Sequence, residues 1–272
     1  EVHCLAGENG CGKSTLIKIV TGVYQPESAE AFELFGESLE RITPVQARAR
    51  GVSVIWQDLA LFPNMSVAEN IAFDEMVGLR PRGVDYRGMK TRAAAVLARL
   101  GVVLDLDAAL ETLPIAQCQV VAIARALMNE ARLIFMDEPT ASLTQSETDR
   151  LLEIVRRLSA DGVAIVFVSH RLAEVLDIAS RVTVVRDGRL VGVYPTAGMT
   201  QARLGELMTG HLLTDAVAAR DMGAAPTVFE ARGLGVPGQF AGIDLTIRQG
   251  EVVGLIGLLG AGRTELAHAM MG

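Results

Sequence analysis

Apolar positions along this chain fall into two kinds of run, and the two kinds alternate. Short blocks such as Leu133-Ile134-Phe135-Met136 and Ala164-Ile165-Val166-Phe167-Val168 are apolar throughout, the pattern of strands buried on both faces. The runs predict strands over Val52–Trp56, Leu133–Asp137, Ala164–Ser169 and Val182–Arg186. Between them, helices are predicted over Gly12–Thr21, Tyr86–Leu100, Ile115–Met128, Ser146–Ser159 and Leu172–Ile178. Strand and helix in alternation point to an α/β fold, a mostly parallel sheet flanked by crossover helices. From about Ser66 to Met128 the chain is helix-rich and lacks clear strands, so a helical insert subdomain is expected over about 66–128.

The opening pattern is repeated near the end. Glu1-Val2-x-x-Leu5-x-Gly7-x-x-Gly10-x-Gly12-Lys13-Ser14-x-Leu16 recurs as Glu251-Val252-x-x-Leu255-x-Gly257-x-x-Gly260-x-Gly262-Arg263-Thr264-x-Leu266. The expected organisation is a first domain over 1–209, a linker rich in Ala, Gly and charge over 210–226, and the start of a second copy over 227–272. The chain opens in a strand pattern, Glu1–Ala6, and closes in a helical one, Thr264–Met271, without an initiating methionine. It is therefore expected to be a fragment of a longer chain.

Composition narrows the classes. Half the residues are hydrophobic, yet no apolar run reaches the roughly 18 residues of a membrane span, so membrane contact is expected only through a partner. The net charge of −7, with no basic stripe, argues against a nucleic-acid binder. Cys4, Cys11 and Cys118 have no metal-ligand spacing and are expected to be reduced thiols.

The chemistry gathers at strand ends. Gly7-Glu8-Asn9-Gly10-Cys11-Gly12-Lys13-Ser14-Thr15 fits G-x-x-x-x-G-K-[ST] between a strand and a helix. Glycines there let backbone N–H groups turn inward around phosphate oxygens, and the helix N-terminus adds partial positive charge. Lys13 would reach the β/γ-phosphates and Ser14 would ligate Mg²⁺. The apolar strand Leu133–Met136 ends in Asp137, suited to the metal, and Glu138, suited to polarising an attacking water. Both are expected at the tip of the strand neighbouring the one that feeds the glycine loop.

Together, Gly7–Thr15 and Met136-Asp137-Glu138-Pro139-Thr140 resemble an ABC-transporter nucleotide-binding domain, which implies a P-loop NTPase fold with ATP and Mg²⁺ as ligands. Val54-Ile55-Trp56-Gln57-Asp58 is similar to the family's Q-loop, which implies that Gln57 senses the metal and the membrane partner. Val168-Ser169-His170-Arg171 is similar to its H-loop, which implies that His170 contacts the γ-phosphate. Leu113-Pro114-Ile115-Ala116-Gln117 stands where the signature segment belongs. The family stacks adenine on an aromatic residue upstream of the glycine loop, a position that would precede Glu1.

Three departures resemble the sugar-importer branch with two tandem domains, as in ribose, galactose and xylose importers. They are the glycine-free Leu113–Gln117, Thr144 in place of the usual Asp, and Arg263 in place of the loop lysine in the repeat. The resemblance implies membrane permease subunits, a periplasmic solute-binding protein acting through the permease, and a place on the cytoplasmic side of the inner membrane. It also implies that each ATP is sandwiched between the loop of one domain and the signature of another. Pro114, lacking N–H and hydroxyl, removes up to two phosphate donors, although proline also suits a helix start. The site built from Arg263 and Leu113–Gln117 is therefore expected to bind nucleotide weakly or without turnover. The alternatives are a non-transport ABC ATPase acting on ribosomes or nucleic acid, and a P-loop kinase.

Overall fold

The alternating side chains of the short apolar blocks become the two faces of one sheet. The computed structural model describes residues 1–78, 85–211, 225–257 and 260–271. It divides into two units, Glu1–Leu213 and Thr214–Gly272.

In the first unit the chain runs through β1 (Val2–Ala6), α1 (Lys13–Val20), β2 (Glu33–Leu34), β3 (Glu37–Ser38), α2 (Pro44–Ala49) and β4 (Val52–Ile55). It continues through α3 (Val67–Ile71), α4 (Phe73–Gly78), α5 (Tyr86–Leu100), α6 (Ile115–Met128), β5 (Leu133–Asp137) and α7 (Gln145–Ala160). It ends with β6 (Ala164–Val168), α8 (Leu172–Ile178), β7 (Arg181–Arg186), β8 (Arg189–Pro195) and α9 (Gln201–Thr209). The main sheet has the order β4-β5-β6-β1-β7-β8. Every pairing in it is parallel except β8 on β7. The expected mostly parallel sheet is present, with one antiparallel edge.

Period-two alternation shares each strand between two cores. Cys4 and Ala6 of β1, Ile134 and Met136 of β5, and Ile165 and Phe167 of β6 enter the larger core beneath α3, α5, α6, α7 and α8. Leu5, Phe135 and Val168 turn the other way, into a smaller core closed by Ile17 of α1 and Ala47 of α2. The insert is helical: α3, α5 and α6 pack on one another, and between Ser66 and Met128 the described residues hold a single isolated bridge, Ser66 to Ala109. A capping box starts the insert, with Ser66 accepting from Glu69 N and Glu69 accepting from Ser66 N.

One expectation needs correcting. The acidic strand β5 is not the neighbour of β1, because β6 stands between them. The reason is the register of the apolar blocks: β6 is buried on both faces, pairs in parallel with β1 over Val2–Leu5, and pairs with β5 over Leu133–Asp137. Since β1, β4, β5 and β6 all run the same way, their carboxyl ends still open on one edge of the sheet, where α/β folds bind ligands.

In the second unit, β9 (Thr227–Val236) and β10 (Phe240–Arg248) form an antiparallel hairpin, and α10 spans Arg263–Met271. Residues 251–257, the counterpart of β1, form no strand, and Val252 and Ile256 are 96% and 97% exposed. In the first unit β1 is held between β6 and β7, elements that start at Ala164 and Arg181. Of the expected linker, 212–224 lies outside the described residues.

Candidate functional site

The glycine loop is shaped by what cannot be there. A Cβ on Gly7 would come within 2.2 Å of Val185 O and 2.5 Å of Cys11 Sγ, so only glycine lets the end of β1 pass β7. Gly12, at φ 102, sits in the left-handed region where α1 begins, and Leu16 N donates to its carbonyl at 2.9 Å. No acidic residue occupies the first turn of α1, so the loop's N–H groups and the helix dipole favour an anion. Lys13 curls back over the loop. Its ammonium donates to Gly7 O at 2.7 Å and to Glu8 O at 2.8 Å, with Cys11 Sγ at 3.8 Å, and the residue is 7% exposed.

The carboxylates approach from β5. Ser14 Oγ donates to Asp137 Oδ2 at 3.4 Å, joining the loop to the acidic strand. Burial, then the adjacent Glu138, push the Asp137 carboxyl above its ordinary value, and Ser14, Lys13 and Lys18 pull it back. Glu138 holds a left-handed backbone, φ 47, and its N–H donates to Val168 O at 3.0 Å. That conformation is uncommon for a residue with a side chain. It turns the carboxylate toward His170, which leaves the end of β6: Glu138 Oε1 and His170 Nδ1 are 3.0 Å apart. The exit of β4 adds Gln57, which is exposed.

A cavity of about 400 Å³ is lined by Asn9, Gly10, Gly12, Lys13, Ser14, Thr15, Gln57, Asp137 and Glu138. The expected site residues thus divide into groups. Asn9, Gly10, Gly12, Lys13, Ser14 and Thr15 face the cavity; Gly7, Glu8 and Cys11 instead hold the Lys13 ammonium from behind. His170 joins through Glu138. Leu113–Gln117 does not line this cavity. It is the start of α6, where Pro114 O accepts from Gln117 N at 2.9 Å and Cys118 N at 3.1 Å, and Ile115 is 44% exposed. Arg263, at the start of α10 in the other unit, is exposed.

The donors suit a nucleotide and its metal. The room and the inward-facing glycine loop fit a chain of phosphates. Among the described residues no cluster of three or more His, Cys, Asp or Glu could hold a metal by itself. The Ser14 hydroxyl, the Asp137 carboxylate and the Gln57 amide are hard oxygen donors, and Mg²⁺ takes a few such groups alongside phosphate and water.

Two features escaped sequence reasoning. Arg125 of α6 donates to Ala60 O at 2.9 Å and Leu59 O at 3.2 Å, bracing the turn just after Gln57, and burial lowers its guanidinium below the usual value. Beside that turn a hollow of about 330 Å³ is lined in part by Arg48, Trp56, Phe62, Phe73 and Arg125. Neither has a spacing signature, because the residues come from separate elements.

Comparisons with known proteins point to one family. A profile of the ABC transporter family matches residues 1–141. The chain is 47% identical over its full length, covering 52% of the relative, to a ribose import ATP-binding protein of Rubrobacter xylanophilus. It is 42% identical over its full length, covering 54% of the relative, to a putative ribose/galactose/methyl galactoside import ATP-binding protein of Agrobacterium fabrum. The chain therefore spans about half the length of these relatives. Its fold is shared with CbiO1 of Clostridium perfringens, part of an ABC transporter complex, at TM-score 0.64 and 24% identity, over 73% of this chain and 78% of that one. No helix among the described residues is long and apolar enough to cross a membrane.

Proposed function

The chain belongs to the ABC transporter family, and we propose that it is the ATP-binding and ATP-hydrolysing part of an importer for a monosaccharide or related polyol. One observation carries this reading: the Lys13 loop, Ser14, Asp137 and Glu138 border one cavity at the carboxyl edge of the sheet, with His170 paired to Glu138. Lys13 and the loop N–H groups bind the phosphates. Ser14, Asp137 and Gln57 hold Mg²⁺, which supplies charge neutralisation at the phosphate oxygens. Glu138 orients a water and accepts its proton, and His170 fixes the Glu138 carboxylate while reaching toward the terminal phosphate.

The sugar class is supported by the relatives named as ribose and galactose importers, which also weigh against an ATPase acting on ribosomes or nucleic acid. On the same reading the partners are membrane permease subunits, fed by a periplasmic solute-binding protein, and a second nucleotide-binding domain that closes over the ATP. The protein works peripherally at the cytoplasmic face of the membrane. The hollow beside Trp56 and Phe62, next to Gln57, is the face offered to the permease.

Glu138→Gln tests the assignment. In the full-length protein it should keep ATP affinity within a few-fold while turnover falls by about 10²–10⁴, the range for a lost general base. Equilibrium nucleotide binding and steady-state phosphate release measure the two, and near-normal turnover would remove Glu138 as the base.

A further inference from the structure

Behind the Glu138–His170 pair lies a buried carboxylate that no motif contains. Glu174, in the first turn of α8, is 7% exposed. Its Oε2 accepts from Thr140 Oγ1 at 2.6 Å and from Ser169 Oγ at 3.2 Å, and its Oε1 accepts from Arg171 Nη1 at 3.0 Å. Thr140 and Ser169 are each 2% exposed. Ser169 Oγ also accepts from Arg171 N at 3.0 Å.

The partners' positions are what matter. Thr140 lies two residues beyond Glu138, and Ser169 and Arg171 are the two residues flanking His170. One carboxylate therefore ties the turn after β5 to the turn after β6. The turn after β5 is gripped from its other side by Gln119 of α6, whose Nε2 donates to Pro139 O at 2.7 Å. Between these holds, Glu138 keeps its left-handed backbone. Burying a carboxylate is unfavourable unless donors satisfy it, and here the three donors all belong to the two turns that carry the reacting pair.

We propose that Glu174 is a positioning residue: through Thr140, Ser169 and Arg171 it sets the distance and direction of Glu138 relative to His170. This rests on the ATPase reading of that pair. Misplacing a reacting group by about 1 Å can lower a rate by about 10²-fold. The clasp therefore acts on turnover more than on nucleotide affinity, because none of its members lines the cavity.

The test is a double-mutant cycle in the full-length protein. Glu174→Ala should lower kcat by about 10²-fold, with KM and ATP affinity changed by less than about 3-fold. Glu174→Gln keeps an acceptor for the two hydroxyls and loses only the Arg171 contact, so its loss should be smaller. Placed in Glu138→Gln, where the group being positioned is already gone, Glu174→Ala should lower residual turnover by less than about 3-fold. A purely structural role would lower it equally in both backgrounds, and that result overturns the proposal. Should Glu174→Ala fail to fold, Thr140→Val and Ser169→Ala enter the same cycle with the same expectation. Near-normal turnover of Glu138→Gln alone sinks the ATPase reading and this proposal together; slow Glu138→Gln with an additive second loss sinks this proposal only.

Discussion

At the scale of single residues, the same apolar sheet that builds the site also silences a neighbouring thiol. Cys4 lies in β1, two residues before the strand end that feeds the glycine loop, and it is fully buried. Burial pushes its thiol from 9.0 up to about 12, against smaller opposing contributions from the Ser169 backbone and Lys13. The folded chain thus holds this proton more tightly than the unfolded chain does. The resulting stability is fully present below pH 9 and is lost as pH rises from 9 toward 12. Urea denaturation across that range should show this fall, and Cys4→Ala should flatten it. Iodoacetamide at pH 8 should leave Cys4 unmodified in the folded protein, since the thiolate is the reactive form. The spacing of the cysteines told only that they lack the pattern of metal ligands; which thiol is inert depends on strand order, and β1 is central because β6 and β7, from far along the chain, close on both its sides.

At the scale of elements, legibility followed burial. The strands predicted from continuous apolar runs, over Leu133–Asp137 and Ala164–Ser169, are β5 and β6 to within a residue, because both faces of these strands meet packed helices. The helices over Tyr86–Leu100, Ile115–Met128 and Leu172–Ile178 have the expected bounds. β8 was not legible in the same way: Leu190 and Val193 are 65% and 48% exposed, so its apolar residues mark no core. A subtler signal was available in Asp187-Gly188, both at positive φ and linking β7 to β8 through the Arg186–Arg189 pair, a turn that fits an antiparallel hairpin. The small β2–β3 hairpin has two residues per strand and leaves no period to read. The two kinds of strand should answer mutation differently. Phe167→Ala in β6, fully buried, should destabilise by about 3–5 kcal/mol. Leu190→Ala on β8 should stay within about 0.5 kcal/mol. Chemical denaturation of the two variants measures the contrast.

At the scale of the whole molecule, which domain completes which site is implied by the family resemblance alone. The motifs of the cavity were legible because the glycine loop, Asp137-Glu138, Gln57 and His170 are each short and contiguous, and parallel strands bring their ends to one edge. Completion is a different matter. Leu113–Gln117 belongs to the same unit as Lys13, yet it begins α6 on an exposed face and does not line the Lys13 cavity. The family resemblance implies that a segment donating to the far side of the bound phosphates comes from another domain, as proposed above. Such donors act chiefly on the transition state, and losing one lowers rate by about 10²–10³ while leaving ground-state binding nearly intact. The 272-residue chain alone should therefore bind Mg-ATP and hydrolyse it at least about 10²-fold more slowly than the full-length protein. Nucleotide binding and phosphate release, compared between the two, decide it; equal turnover would mean that one unit holds a complete site and that the Leu113–Gln117 segment serves no composite one.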